Sequence, residues 1–221
     1  MKPVQKLRSV FAFVLLLGSS TASFSQTLKE FFSDRNTQLT YLGIDYTKNL
    51  VINDADANTA DITGRLYNAM NDLVVKEQES KNYDIGRAFS RKAAINIDIS
   101  AVTSNNARID PKKILSSSSA DFKRLKEADI KASVEALALE GKEGIGLVFI
   151  MEGMKKYDSK GYASVWITLI NMKTKEVLMT QRTEHEADGF GFRNYWVSVI
   201  RRTIGDIDWS RYKDWKKTYS R

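Results

Sequence analysis

The chain contains no cysteine, a single histidine and, beyond its first twenty-five residues, no long apolar run. Each absence excludes something. Without cysteine there is no disulfide, no thiol nucleophile and no thiolate metal site. Lipid attachment at an export signal is excluded as well, because it needs a cysteine just after cleavage. With His185 alone, a site of two histidines and a carboxylate cannot be assembled. No later segment approaches the roughly twenty apolar residues that a bilayer-crossing helix needs. No internal repeat is visible, the only low-complexity tract is Ser116 to Ser119, and no motif implies a cofactor or a metal.

What is present begins with an address. Lys2, Lys6 and Arg8 form a positive segment, Val10 to Leu17 an apolar core, and Ser23-Phe24-Ser25 places small residues where a signal peptidase reads them. This predicts a cleavable signal over residues 1–25, a mature chain starting at Gln26, and a periplasmic or secreted protein. An uncleaved anchor is the alternative, and the apolar core is too short to favour it.

The net charge of +7 is unevenly spread. Three positive charges sit in the signal. Four more sit in residues 209–221, where Arg211, Lys213, Lys216, Lys217 and Arg221 face only Asp214. Residues 26–208 therefore sum to zero. A neutral body with one basic end argues against a nucleic-acid surface, which needs a basic patch on the domain itself.

The length after the signal suits one globular domain over residues 26–208, followed by a basic aromatic tail over 209–221. Leu39 to Tyr46 reads as a strand and Asn53 to Asn58 as a loop. Thr59 to Glu77 reads as a helix with Ile62, Leu66, Met70, Leu73 and Val74 in one stripe. Ala94 to Val102 alternates as a half-buried strand would. Ser116 to Ser119 offer an N-cap to a second long helix over residues 120–139. Ile145 to Met151 is apolar on both faces, as in a central strand. Tyr162 to Ile170 and Glu176 to Thr183 flank a short turn and extend it into an antiparallel meander. Gly189 and Gly191 open a last helix, with Phe192, Tyr195, Trp196, Val199, Ile200 and Ile204 inward. The predicted order is β-α-β-α-β-β-β-α, an α/β (α+β) fold with a mixed sheet and helices packed on it.

Val165 to Leu178, VWITLINMKTKEVL, carries strand, turn and strand with Thr174 and Glu176 in the turn. Together with the element order, this resembles the domain shared by the amino-terminal part of TolB and the curli-secretion lipoprotein CsgG. Those proteins often show D-x-x-T-G-E here, where this chain has Asn171 and Lys175 in place of Asp and Gly. The resemblance implies an envelope-facing, non-enzymatic domain that works through protein contacts, and it transfers no functional residue.

Four constellations are candidates for chemistry. Asp54, Asp56, Asn58 and Asp61 have the alternating oxygen ligands that open a calcium loop, but Thr59 stands where glycine is needed and Arg65 where glutamate is needed. His185 lies between Glu184 and Glu186, which face the other way on a strand. Gly189-Phe190-Gly191, with Arg193, could admit an anion at a helix start, or simply turn a tight corner. In the tail, Trp209, Tyr212, Trp215 and Tyr219 are spaced to share a helix face among cations; that face would pack on the body or contact a partner or lipid surface.

The expected function is that of an exported, non-catalytic envelope protein that binds a protein partner or an envelope surface through Phe190, Arg193, Trp209, Tyr212, Trp215, Lys216 and Lys217. The competing expectation is a periplasmic hydrolase or small-ligand-binding protein in which Glu152 and Glu184, on neighbouring strands, converge. A deep pocket with two close carboxylates would favour the latter.

Overall fold

A computed structural model describes residues 28–80 and 82–220; the expected signal lies outside them. Its centre is strand β5, Ile145–Tyr157, buried over ten consecutive residues. An apolar run without alternation has to be covered on both faces, and this one is. Strand β1 (Leu39–Asp45) pairs parallel to residues 145–150 of β5, and β2 (Leu50–Ile52) pairs parallel to residues 153–155. Strand β6 (Lys160–Asn171) takes the whole length of β5 in the antiparallel sense, and β7 (Glu176–Glu186) pairs antiparallel to β6. A strand has two edges, so β1 and β2 must share the one that β6 leaves. They are two stretches of a single ribbon, interrupted by Tyr46 to Asn49. Short strands β3 (Asn96–Ile97) and β4 (Leu115–Ser116) add parallel partners outside β1 and β2.

Helices cover both faces. On one side lie α1 (Leu28–Ser33), α2 (Thr59–Asp61), α3 (Tyr67–Lys76), α4 (Ile85–Ala88), α7 (Phe192–Asp206) and α8 (Tyr212–Tyr219), gathered around Tyr41, Phe149, Val165 and Trp196. On the other lie α5 (Ser100–Asn106) and α6 (Glu127–Glu135), packed on Leu42, Val148, Ile150 and Trp166. The expected mixed sheet with packed helices is what the chain adopts.

The outer edge of β1 runs beyond its two-residue partner β3 and is completed by side chains. Gly43 sits at a bulge with φ of 103°, a conformation that glycine adopts without penalty. Next to it, Asn71 from α3 accepts from the Ile44 N–H (2.7 Å) and donates to the Ile44 carbonyl (3.1 Å). Asn106 from α5 accepts from the Tyr46 N–H (2.8 Å) and donates to the same carbonyl (2.9 Å). Two buried amides thus do the work of a missing strand.

Several expected elements differ. Residues 94–102 do not form a strand: only Asn96–Ile97 pairs, Ile97 is exposed, and the chain turns into α5. Asp98 causes the turn by accepting from the N–H and hydroxyl of Ser100. The long helix expected over residues 120–139 is split into a 3₁₀ turn, Ser119–Lys123, and α6. Between them Arg124 donates to the carbonyls of Lys48 and Glu152, and the Leu125 N–H donates to the Glu152 carboxylate (2.7 Å). The Leu125 bond uses a backbone N–H that a continuous helix would need, and the Arg124 bonds tie the break to the sheet. Ser118 stands before the 3₁₀ turn without a side-chain capping bond. The helix over residues 59–76 forms with its predicted stripe and contains a π turn at Ile62–Leu66. A second π turn, Ile207–Arg211, joins α7 to α8, so the helix continues through the expected tail boundary at residue 208 without a break.

Candidate functional site

The two carboxylates considered for hydrolysis are neighbours, but a cation separates them. Glu152 is fully buried; one oxygen accepts from the Leu125 N–H, and the other accepts from the Trp166 indole (3.2 Å) and the Arg182 Nε (2.7 Å). Arg182 also donates to Glu184 (3.0 Å) and to the Phe122 carbonyl (2.7 Å). A buried carboxylate needs such partners to remain charged. Both of its oxygens already accept hydrogen bonds and a guanidinium lies between it and Glu184, so the two carboxylates are held as an ion-paired cluster.

The other constellations also resolve into local structure. Asp54 pairs with Lys156 (2.7 Å), Asn58 caps α2 by accepting from the Asp61 N–H (3.1 Å), and Asp61 pairs with Arg65 (2.8 Å). These oxygens point to three different partners, and among the described residues no group of three metal-ligating side chains converges. His185 faces Asp206 (3.6 Å) and the Thr183 hydroxyl (3.2 Å), while Glu184 and Glu186 turn to Lys123 and Lys160. Burial holds the His185 imidazole below its usual range, against the pull of Asp206.

The predicted binding residues divide into two groups. Phe190 is 93% exposed between Gly189 and Gly191, both at positive φ, and Arg193 beside it is exposed and donates to the Asn194 side chain (3.0 Å). Asp188 at this corner is held by Arg201 and Arg202 (2.6 Å each). The rest begin roughly 25 Å further along the helical chain, at about 1.5 Å per residue, and extend to about 35 Å. The corner and the helix end are therefore separate surfaces.

At the helix end the aromatics do not share one face. Tyr212 and Trp215 are buried. The Trp215 ring stacks on Phe89 (6.0 Å) and its indole N–H donates to Gln181 (2.9 Å); Tyr219 stacks on Phe32 (5.7 Å). The Tyr212 hydroxyl accepts from Arg91 (3.1 Å), whose guanidinium also donates to the carbonyls of Phe31, Asp34, Thr37 and Phe89. These rings close the core and are not available as surface. Trp209 alone points away, 84% exposed within the π turn. The extra residue of a π turn shifts the phase of what precedes it, which is how a tryptophan three residues before a buried tyrosine faces water. Lys213, Lys216 and Lys217 follow at helical spacing, all exposed and without an ion pair among the described residues. Lys213 lies on this face although the sequence reading did not single it out. Its i+4 position from Trp209 is the signal.

No protein-family model and no curated protein matches the chain. Among solved structures, it is similar to the crystal structure of lipoprotein GNA1162 from Neisseria meningitidis, at 10% identity and a TM-score of 0.29, over 76% of this chain and 99% of that one. So slight a likeness carries no argument, and the fold rests on the strand pairings above. The resemblance to the TolB amino-terminal and CsgG-like domain finds no support in these matches. No helix among the described residues is long and apolar enough to cross a membrane.

Proposed function

We propose that the protein is an exported, non-catalytic envelope protein that binds an acidic protein partner through the outward face of its last helix. One observation carries this reading: Trp209, 84% exposed, stands beside three lysines without an ion pair among the described residues, on a helix whose opposite face is anchored in the core. Exposed tryptophans are enriched where protein interfaces concentrate their binding energy, and a cationic surround steers an acidic partner. A lipid surface is the weaker fit. A helix that lies in a bilayer interface buries an apolar face, and the apolar face of α8 is already used inside the protein. The charge pattern of residues 1–25 supports the location, and the closed Glu152–Arg182–Glu184 arrangement supports the absence of catalysis.

The test compares the mature protein with Trp209→Ala and with a Lys213→Glu, Lys216→Glu, Lys217→Glu triple variant in cross-linked envelopes. A specific protein recovered by the parent, lost with both variants and released by salt is the expected result. Recovery of the same set by all three forms would refute the reading. So would partition of the parent onto anionic vesicles through these same residues, which would make the contact lipid.

A further inference from the structure

The break between β1 and β2 opens a cleft of about 500 Å³ that the sequence reading did not anticipate. It lies at the carboxyl end of β1, where open α/β sheets place their ligands. Its lining brings together Lys48 from the break, Arg108 from the end of α5, Lys113 from the turn before β4, and Arg124 from the turn before α6. One carboxylate, Asp110, accompanies these four cations, and its contact with Lys113 is loose at 3.9 Å. Arg108 is held by neutral partners, the Ser104 carbonyl and the Asn105 side chain, and Lys48 has no ion pair among the described residues. Arg124 is fixed by the carbonyls of Lys48 and Glu152, so one of the cations is set in place in advance.

A second observation is independent of charge. Asn49 lines the same cleft and is 2% exposed; its Nδ2 bonds the Tyr67 hydroxyl (2.7 Å), and its other amide atom is buried without a partner. The amide can equally be placed the other way round, with Oδ1 toward the Tyr67 hydroxyl and the NH₂ as the unpartnered group. A buried amide with one unmet hydrogen bond in a cleft rich in cations is the arrangement that a polyoxygenated anion completes.

We infer that the cleft at the β1–β2 break binds a phosphate-bearing organic molecule, held by Lys48, Arg108, Lys113 and Arg124, with Asn49 meeting an oxygen and Ile109 and Ala136 contacting its apolar part. Four cations supply more charge than a lone carboxylate needs, and the volume is that of a small-molecule site. The same group could be a free phosphoester or a phospholipid head, and the two sources separate experimentally. This site is distinct from the face of the last helix, so neither proposal depends on the other.

The probes are inorganic phosphate, glycerol 3-phosphate, and vesicles of phosphatidylglycerol or phosphatidylcholine. Binding is read by calorimetry and co-sedimentation, and stabilisation by thermal unfolding. The proteins are the parent, a Lys48→Gln, Arg108→Gln double variant, and a Lys29→Gln, Lys76→Gln double variant that removes the same charge at exposed lysines belonging to neither binding surface. The expected result is saturable binding weakened at least about tenfold in the first variant and unchanged in the second, a difference of roughly 1.4 kcal/mol. Binding of the soluble esters identifies a free phosphoester; binding of phosphatidylglycerol vesicles alone identifies a lipid head. No binding of any probe overturns the inference, as does equal weakening in both variants, which would mean attraction to net charge only. Unchanged circular dichroism in the first variant confirms that it folds.

Discussion

Asp45 shows how a single residue can oppose the fold that holds it. It ends β1 completely buried, with one carboxylate oxygen accepting from the Thr47 N–H (2.7 Å) and the other without a partner. Burial pushes its pKa above the ordinary 3.8; the Thr47 hydrogen bonds and the Lys48 charge oppose this and do not win. The folded state therefore binds this proton more tightly than the unfolded state. Below pH 3.8 both states are protonated and nothing is lost. As pH rises, the unfolded chain ionises first, so stability falls until the folded pKa is passed. Asp45→Asn keeps the acceptor for Thr47 and removes the charge. Its melting temperature is expected to exceed that of the parent at pH 7, with the difference shrinking as pH falls toward 4, measured by calorimetry across that range. None of this shows in the sequence, where Asp45 is one of twenty-seven acidic residues.

Among the elements, the last helix carries the sharpest contrast. Trp209 and Trp215 are six positions apart, yet one faces water and the other closes the core between Phe32 and Phe89. Trp215→Ala is expected to cost roughly 3–5 kcal/mol of stability, by loss of buried surface and a cavity. Trp209→Ala is expected to change stability by less than about 0.5 kcal/mol. Denaturant titration of the two variants separates them, and a large loss for Trp209→Ala would place it in the core instead. The aromatic spacing of this segment was legible; its phase was not, because the π turn at Ile207–Arg211 carries no mark in the sequence. The meander was readable for the opposite reason. Strands β5 to β7 are long, and Asn171 fixes their turn by accepting from the N–H groups of Lys173 and Thr174. Strands β2 and β4 are too short for any periodicity. The alternation of residues 94–102 misled because a side-chain bond from Asp98 outweighs a pattern that only two residues use.

For the whole molecule, the two ends of the described chain meet: α1 packs on α8, and Phe32 touches Tyr212, Trp215 and Tyr219. Arg91 joins this contact to the middle of the chain across 121 residues. A protein ending at Asp208 would leave Phe31, Phe32, Phe89 and the Arg91 guanidinium uncovered. We expect it to unfold at a markedly lower temperature and with a broader transition, measured by calorimetry. A native-like melt would show that the last helix is an accessory. Truncation is accordingly a poor probe of binding here, and point substitution at Trp209 the better one. The cations of the proposed cleft were also invisible at this scale. Residues 26–208 are neutral in sum, and Lys48, Arg108, Lys113 and Arg124 come together only when four separate segments fold around one break in the sheet. The meeting of the ends also bears on how the protein is made. Phe31 and Phe32 must wait for Tyr212, Trp215 and Tyr219, so this part of the core closes only after most of the described residues have emerged. Loop closure over the sequence separation between them is slow. A chain that cannot finish its core early stays extended for longer, which is the state in which a polypeptide threads through a narrow translocation channel.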